Sequence, residues 1–296
     1  MILEKTRVAI IGLGLMGGSL ARALHGKVAS IHAVDIDQSS LKFAADNHFV
    51  DRTSQEVVEA LRHCDLAILA VPVSEILQTI DRIGHDLPAP DYVMDLGSTK
   101  VEISEHMKLL PTAVQAIGGH PLCGKESAGV RASDPELFKD KIFVLTPLQR
   151  TSDQCLALAK DLVTAVGANP LILEPKEHDR AVALTSHLPY LVSASLSQTV
   201  LEAEDSMESL RDLIASGFMD TTRIAASELR MISDVLWTNR ANVLDGLEQF
   251  SKAIDQLKNL LEQGEPEPLR QALSPILQWR QSLSSGRNTR GGNHGN

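Results

Sequence analysis

Cysteine is scarce in this 296-residue sequence, which holds three: Cys64, Cys123 and Cys155. Their number is odd and none stands in C-x-x-C spacing. That excludes a disulfide scaffold and a thiolate zinc site, and fits a reducing compartment. Positive charge is also in short supply. Lys and Arg number 28 against 38 Asp and Glu, a formal net charge of −10. Such a balance argues against broad electrostatic binding to nucleic acid or to an anionic membrane. No apolar run approaches the roughly 18 residues of a membrane span. Residues 1–7 lead into a strand without an apolar signal core. No internal repeat and no third domain can be read from the chain. The expectation is an acidic, cytoplasmic globular protein with no nucleic-acid or membrane partner and no metal site.

What is present, in the first half, is an alternation of apolar runs and helical patterns. Arg7-Val8-Ala9-Ile10-Ile11 reads as a central parallel strand. It runs into Gly12-Leu13-Gly14-Leu15-Met16-Gly17 and then into a helical pattern at Leu20, Ala23 and Leu24. A second strand, residues 30–34, ends at Asp35. A G-x-G-x-x-G between a strand and a helix, with an acid at the end of the next strand, is the context of a dinucleotide site. The glycines allow a tight turn and close approach to a pyrophosphate, and the helix N-terminus offers N–H groups to the phosphates. Asp35 suits the ribose hydroxyls of NAD and repels a 2′-phosphate, and Ile36 follows it where NADP would favour arginine. NAD is therefore expected over NADP, held by Gly12, Leu13, Gly14, Leu15, Met16, Gly17 and Asp35, with Val71 and Pro72 at the end of the strand in residues 65–72.

Further strands are expected over residues 92–95, 141–147 and 170–173, with helices over 73–83 and 152–166. Leu96-Gly97-Ser98-Thr99-Lys100 lies at a strand-to-helix junction, where Ser98 suits either a helix cap or a substrate contact. Residues 118–129, with four glycines, His120 and Pro121, are expected to form a loop that leaves the strand at 113–117. That loop either presents His120 to a ligand or is a structural turn.

From Pro175 onward the pattern is helical: residues 176–203 broken at Pro189, a short helix at 210–215, 235–263 and 269–283. Residues 284–296 are expected to be a disordered tail. The division expected is a Rossmann-type α/β domain over 1–173 and an all-α domain over 174–283. His187 lies in an otherwise apolar helix and reads as a core histidine or as a pocket residue. Asp220 and Arg223 read as a surface pair, or Arg223 as the fork that grips a substrate carboxylate.

Together, Gly12 to Gly17, Asp95-Leu96-Gly97-Ser98-Thr99-Lys100, Gly118-Gly119-His120-Pro121, Ser186-His187-Leu188-Pro189 and Asp220-Thr221-Thr222-Arg223 resemble the prephenate/arogenate dehydrogenase family over nearly the whole chain. The resemblance implies a 6-phosphogluconate dehydrogenase-like two-domain architecture that dimerises through its helical domain. It implies NAD-dependent oxidative decarboxylation of a cyclohexadienol small-molecule substrate in tyrosine biosynthesis. His120, titrating near neutrality, would be catalytic, with Ser98 beside it and Arg223 holding the carboxylate. His187, Tyr190, Lys125 and Asp220 would lie at the substrate. Tyr190, Lys125 and Ile232 stand where some relatives carry histidine, threonine and tryptophan, which leaves prephenate and arogenate both open. A 3-hydroxyacid dehydrogenase of the same architecture would need a lysine in residues 185–195, and there is none. A non-catalytic NAD-binding scaffold would have no use for the His120/Arg223 pair.

Overall fold

The computed structural model describes residues 2–289. Its sheet has eight strands: β1 Arg7–Ile11, β2 Ser30–Val34, β3 Arg52–Ser54, β4 Leu66–Leu69, β5 Tyr92–Asp95, β6 Gln115–Pro121, β7 Ile142–Pro147 and β8 Asn169–Ile172. Their order is β3-β2-β1-β4-β5-β6-β7-β8, with every neighbouring pair parallel except β6 and β7. Alternate residues of one strand go to opposite faces. Val8 and Ile10 enter one buried cluster with α1 (Leu15–Leu24) and α6 (Asp153–Ala165). Ala9 and Ile11 enter another with α3 (Val57–Leu61), α4 (Val73–Arg82) and α5 (Val101–Lys108). A helix α2, Gln38–Asp46, was not anticipated; Asp37 caps it by accepting the N–H groups of Ser39 and Ser40. β1 and β4 are neighbours from which the chain winds in opposite directions, so their C-terminal ends form the switch point where such sheets take ligands.

One expectation fails in an informative way. Gly118, Gly119, His120 and Pro121 are not a loop: β6 runs through them, paired with Thr146, Leu145, Val144 and Phe143 of β7. A Cβ on Gly118 would collide with Thr146 Oγ1, and one on Gly119 would stand 2.7 Å from the Asp95 carbonyl oxygen. Close packing between strands selects glycine here, not a turn.

After β8 the chain turns helical. Helix α7, Pro175–Val182, passes through a five-residue π-turn, Ala183–His187, into α8, Leu188–Ala203. Pro189 has no N–H to donate and its ring would crowd the preceding turn of a regular helix; the wider turn avoids that conflict. It also turns His187 inward, to 2% exposure. Residues 216–222, outside the helices expected from the sequence, form α9 (Ser216–Thr222). The long helix expected from Val235 is two: α10, Leu229–Thr238, and α11, Arg240–Glu262, with Asn239 at the break.

By contacts the chain forms two compact units, Met1–Val243 and Leu244–Asn296. The second holds most of α11 and α12, Pro266–Thr289. That helix continues into the stretch expected to be a disordered tail, of which residues 290–296 lie outside the described residues. Among the described residues, no helix is long and apolar enough to cross a membrane.

Candidate active site

At the switch point Gly12 takes φ +99°, and a Cβ there would stand 2.5 Å from the Ala70 carbonyl oxygen and 2.7 Å from Val71 Cγ1. A Cβ on Gly17 would collide with the Gly12 carbonyl oxygen, so the turn and α1 close on each other through glycine. Gly14, the N-cap of α1, has nothing within 4 Å of its Cβ position and no side-chain cap. The first N–H groups of α1 are thus left without a side-chain partner, which suits a pyrophosphate. Leu13 and Met16, with Leu15, complete this turn. Asp35 accepts the N–H of Leu13 (2.6 Å) and of Asp37 (2.8 Å). Each carboxylate oxygen keeps a second lone pair for a ribose hydroxyl. Val71 and Pro72 follow β4 and are half-buried, with Val71 Cγ1 beside Gly12.

The neighbouring helix ends are closed by side chains from further along the chain. Ser74, in the first turn of α4, gives its N–H (3.0 Å) and its hydroxyl (2.6 Å) to Asp234 of α10. At α5 the N–H groups of Lys100 (2.7 Å) and Val101 (2.8 Å) go to the carboxylate of Asp179. Ser98 therefore does not cap α5; its hydroxyl, half-buried, makes no hydrogen bond to another described residue.

Beneath this crest lies a fully buried ion pair. Lys100 Nζ bonds Asp95 and the Gly119 carbonyl oxygen (2.7 Å). Asp95 also accepts the N–H groups of Gly97 (2.8 Å) and Gly119 (3.3 Å). Burial pushes the Asp95 carboxyl up and the Lys100 ammonium down, and their mutual attraction opposes both shifts. The pair holds together the turn that carries Ser98 and the strand that carries His120.

His120 reaches a partner that the sequence did not suggest. Its Nδ1 lies 2.8 Å from His178 Nε2, and His178 Nδ1 lies 2.7 Å from Asp179 Oδ1. A carboxylate oxygen that accepts here puts the hydrogen of His178 on Nδ1, and in the neutral ring Nε2 then accepts. His120 Nδ1 must then donate, which leaves the Nε2 lone pair of His120 free. Burial first, then His178, Lys100 and His187, hold the His120 pKa well below its ordinary 6.5. The expectation of titration near neutrality is corrected: the ring is a neutral base throughout that range. Asp179 accepts two helix N-terminal N–H groups besides, those of Lys100 and Val101.

The other expected residues divide by burial. His187 is inside, bonded through Nδ1 to Asn239 Nδ2 (3.1 Å). Tyr190, on the first turn of α8, is half-buried. Arg223 pairs with Glu126 (3.1 Å), not with Asp220, and Asp220 is exposed on α9. Lys125 pairs with Asp134 (2.7 Å). The Ser193 hydroxyl of α8 accepts the N–H of Ala225, which ties the Arg223 turn to α8. His178, Asp179 and Asn239 were missed. The readable signal for the first two was a His-Asp pair placed, with Val182, on the buried face of α7.

Two family models match: "prephenate dehydrogenase, nucleotide-binding domain" over residues 20–172, and "prephenate dehydrogenase, dimerization domain" over residues 174–275. The prephenate dehydrogenase of Bacillus subtilis is 30% identical over 285 residues, covering 94% of this chain and 76% of that protein. The cyclohexadienyl dehydrogenase of Zymomonas mobilis is 31% identical over 260 residues, 86% of this chain and 88% of its own. Among solved structures, A. aeolicus prephenate dehydrogenase in complex with hydroxyphenyl propionate and NAD+ superposes with a TM-score of 0.87 at 30% identity, covering 94% of this chain and 98% of that one. Synechocystis arogenate dehydrogenase superposes with a TM-score of 0.78 at 28% identity, covering 94% and 99%. With a nucleotide-binding sheet, a helical continuation and both family models matched in order, the chain belongs to the prephenate dehydrogenase family.

Proposed function

We propose that the protein is an NAD-dependent dehydrogenase that oxidatively decarboxylates prephenate, or its amino analogue arogenate, in tyrosine biosynthesis. The observation that carries the reading is the His120–His178–Asp179 chain, which leaves a neutral imidazole with one free lone pair on the strand beside the Ser98 turn. NAD, when bound, supplies the acceptor for the hydride that leaves C4 of the substrate. The open N-terminus of α1, the Gly12–Gly17 turn, Asp35, Val71 and Pro72 are the residues that would hold it.

His120 Nε2 takes the proton of the C4 hydroxyl as the hydride leaves, and Ser98 holds that hydroxyl. The bond between the ring and its carboxylate breaks; its electron pair enters the ring, which becomes aromatic, and CO2 departs. His120 then returns its proton to the C4 oxygen. No net proton is left behind. The chain behind His120 therefore has to hold the ring in one tautomer rather than conduct a proton, which suits an Asp179 held in place by the N–H groups of Lys100 and Val101.

Arg223 would exchange Glu126 for a substrate carboxylate, with Tyr190, His187, Lys125 and Asp220 around it. We keep the boundary between the nucleotide-binding and helical parts at 173/174, inside the first of the two compact units. A homodimer formed through the helical part is supported by apolar side chains exposed in the second unit, among them Leu261, Ile276 and Trp279. Localisation in the cytoplasm accords with the three unpaired cysteines. A turnover assay with prephenate and arogenate, each against NAD and NADP, tests the reading. Turnover of neither substrate with NAD would refute it.

A further inference from the structure

Asn239 stands at the break between α10 and α11, 4% exposed. Its Nδ2 donates to the main-chain carbonyl oxygen of Asp179 (2.7 Å), an atom that can only accept. Its Oδ1 accepts from Asn242 Nδ2 (2.8 Å). These two bonds fix which way the amide faces. The second hydrogen on Nδ2 then points to His187 Nδ1, at 3.1 Å. A ring nitrogen that accepts carries no proton, so the neutral ring of His187 holds its hydrogen on Nε2. That nitrogen has no partner among the described residues, although His187 as a whole is 2% exposed.

Burial pulls the His187 pKa down to about 4, against a raising effect of Asp179 and with a further lowering by His178, both on α7. His120 also lies close enough to feel its charge. Asn239 and Asn242, which reach the ring from the other side, are not titratable. His187 is therefore neutral at neutral pH, and its polarity is a matter of tautomer alone.

We propose that Asn239 is a positioning residue that fixes His187 as an Nε2–H donor to an acceptor oxygen of the substrate. The proposal rests on the reading above, in which His187 lines the substrate pocket. The two histidines then have opposite polarity, His120 a lone pair and His187 an N–H, and both settings trace to Asp179. Its carboxylate sets His120 through His178; its main-chain carbonyl sets His187 through Asn239. A carbonyl or carboxylate oxygen satisfies such a donor, and an ammonium group does not.

The first test does not involve turnover. Long-range 1H–15N spectra of the full chain at neutral pH, with the His187 signals assigned by their loss in His187→Gln, should show hydrogen on Nε2 and a bare Nδ1. Hydrogen on Nδ1, or a charged ring, would overturn the proposal. The second test is Asn239→Asp. A carboxylate there only accepts and raises the His187 pKa. While the ring is charged its Nε2–H survives. Once the ring loses a proton, the remaining hydrogen moves to Nδ1, facing Asp, and Nε2 becomes an acceptor. KM for prephenate should therefore rise roughly tenfold with pH in the variant, the loss of one hydrogen bond, while kcat changes much less. Wild type should show no such limb at neutral pH. A folded variant whose KM stays as flat with pH as that of wild type would refute the substrate role. Failure of wild type to turn over prephenate or arogenate would instead sink the functional reading and leave the tautomer result standing.

Discussion

At the floor of the site Lys100 and Asp95 pair with both side chains at 0% exposure, whereas at its rim Arg223 and Glu126 pair at 58% and 76%. The chemistry is alike and the physical role is not. In the interior each charge has lost its water, so each must keep its partner, and the pair is held further by three main-chain bonds to Gly97 and Gly119. At the rim, water competes for both ions and the bond is worth little. A pair of that kind can be given up when a ligand carboxylate arrives. The floor fixes geometry; the rim exchanges partners.

The contrast is easiest to break at His120, which depends on the floor for its place. His120→Asn should lower kcat by roughly 10²–10⁴ while NAD binding, followed by fluorescence titration, is retained. In wild type the active form is the neutral ring, and its pKa is held well below 6.5. The kcat/KM profile should thus be level through neutrality and fall only on the acid side of 6.5, and the variant should lack that fall. A near-normal kcat in the variant would reduce His120 to a strand residue.

Lys100→Met tests the floor directly. It leaves Asp95 buried without its counter-ion and should cost about 3–5 kcal/mol in urea unfolding. A loss below roughly 1 kcal/mol, no larger than an exposed pair gives, would erase the distinction drawn above.

At the rim the effects should be smaller and confined to binding. Arg223→Ala should raise KM by roughly ten- to a hundredfold, with kcat much less affected and the unfolding midpoint unchanged. Loss of kcat at constant KM would argue against a carboxylate grip. Smallest of all, Lys125→Ala removes the exposed pair with Asp134. It should leave the unfolding midpoint where it was; a clear drop would show that the rim, too, is structural.

The same contrast explains what could be read in advance. Apolar periodicity is written locally, so β1, β2, β5 and the helix α4 were legible, as was the glycine turn with Asp35 after it. The floor was not. Gly118 and Gly119 look like chain breakers, because glycine's usual meaning is conformational freedom; here they are needed for the lack of a Cβ between strands. His178 and Asp179 look like solvent-facing polar residues, because their partners, His120 and Lys100, lie 58 and 79 positions away. Asn239 falls within an apolar repeat that runs on past it. Of the rim, the loop that carries Lys125 and Glu126 and the Arg223 turn were recognised. Their pairing was not, since Arg223 and Glu126 are 97 residues apart.

Among the helices that begin along the crest of the sheet, α4 and α5 already have carboxylates of the chain itself at their first N–H groups. Helix N-termini are general receptors for phosphate, and a metabolic enzyme works among many phosphorylated small molecules. Asp234 and Asp179 act as built-in competitive ligands at those two positions, present at an effective concentration no diffusing anion can match. A phosphate would have to displace a carboxylate of the chain to reach either of these two helix ends. The helix start at Gly14, which carries no side-chain cap, is the address left for a dinucleotide.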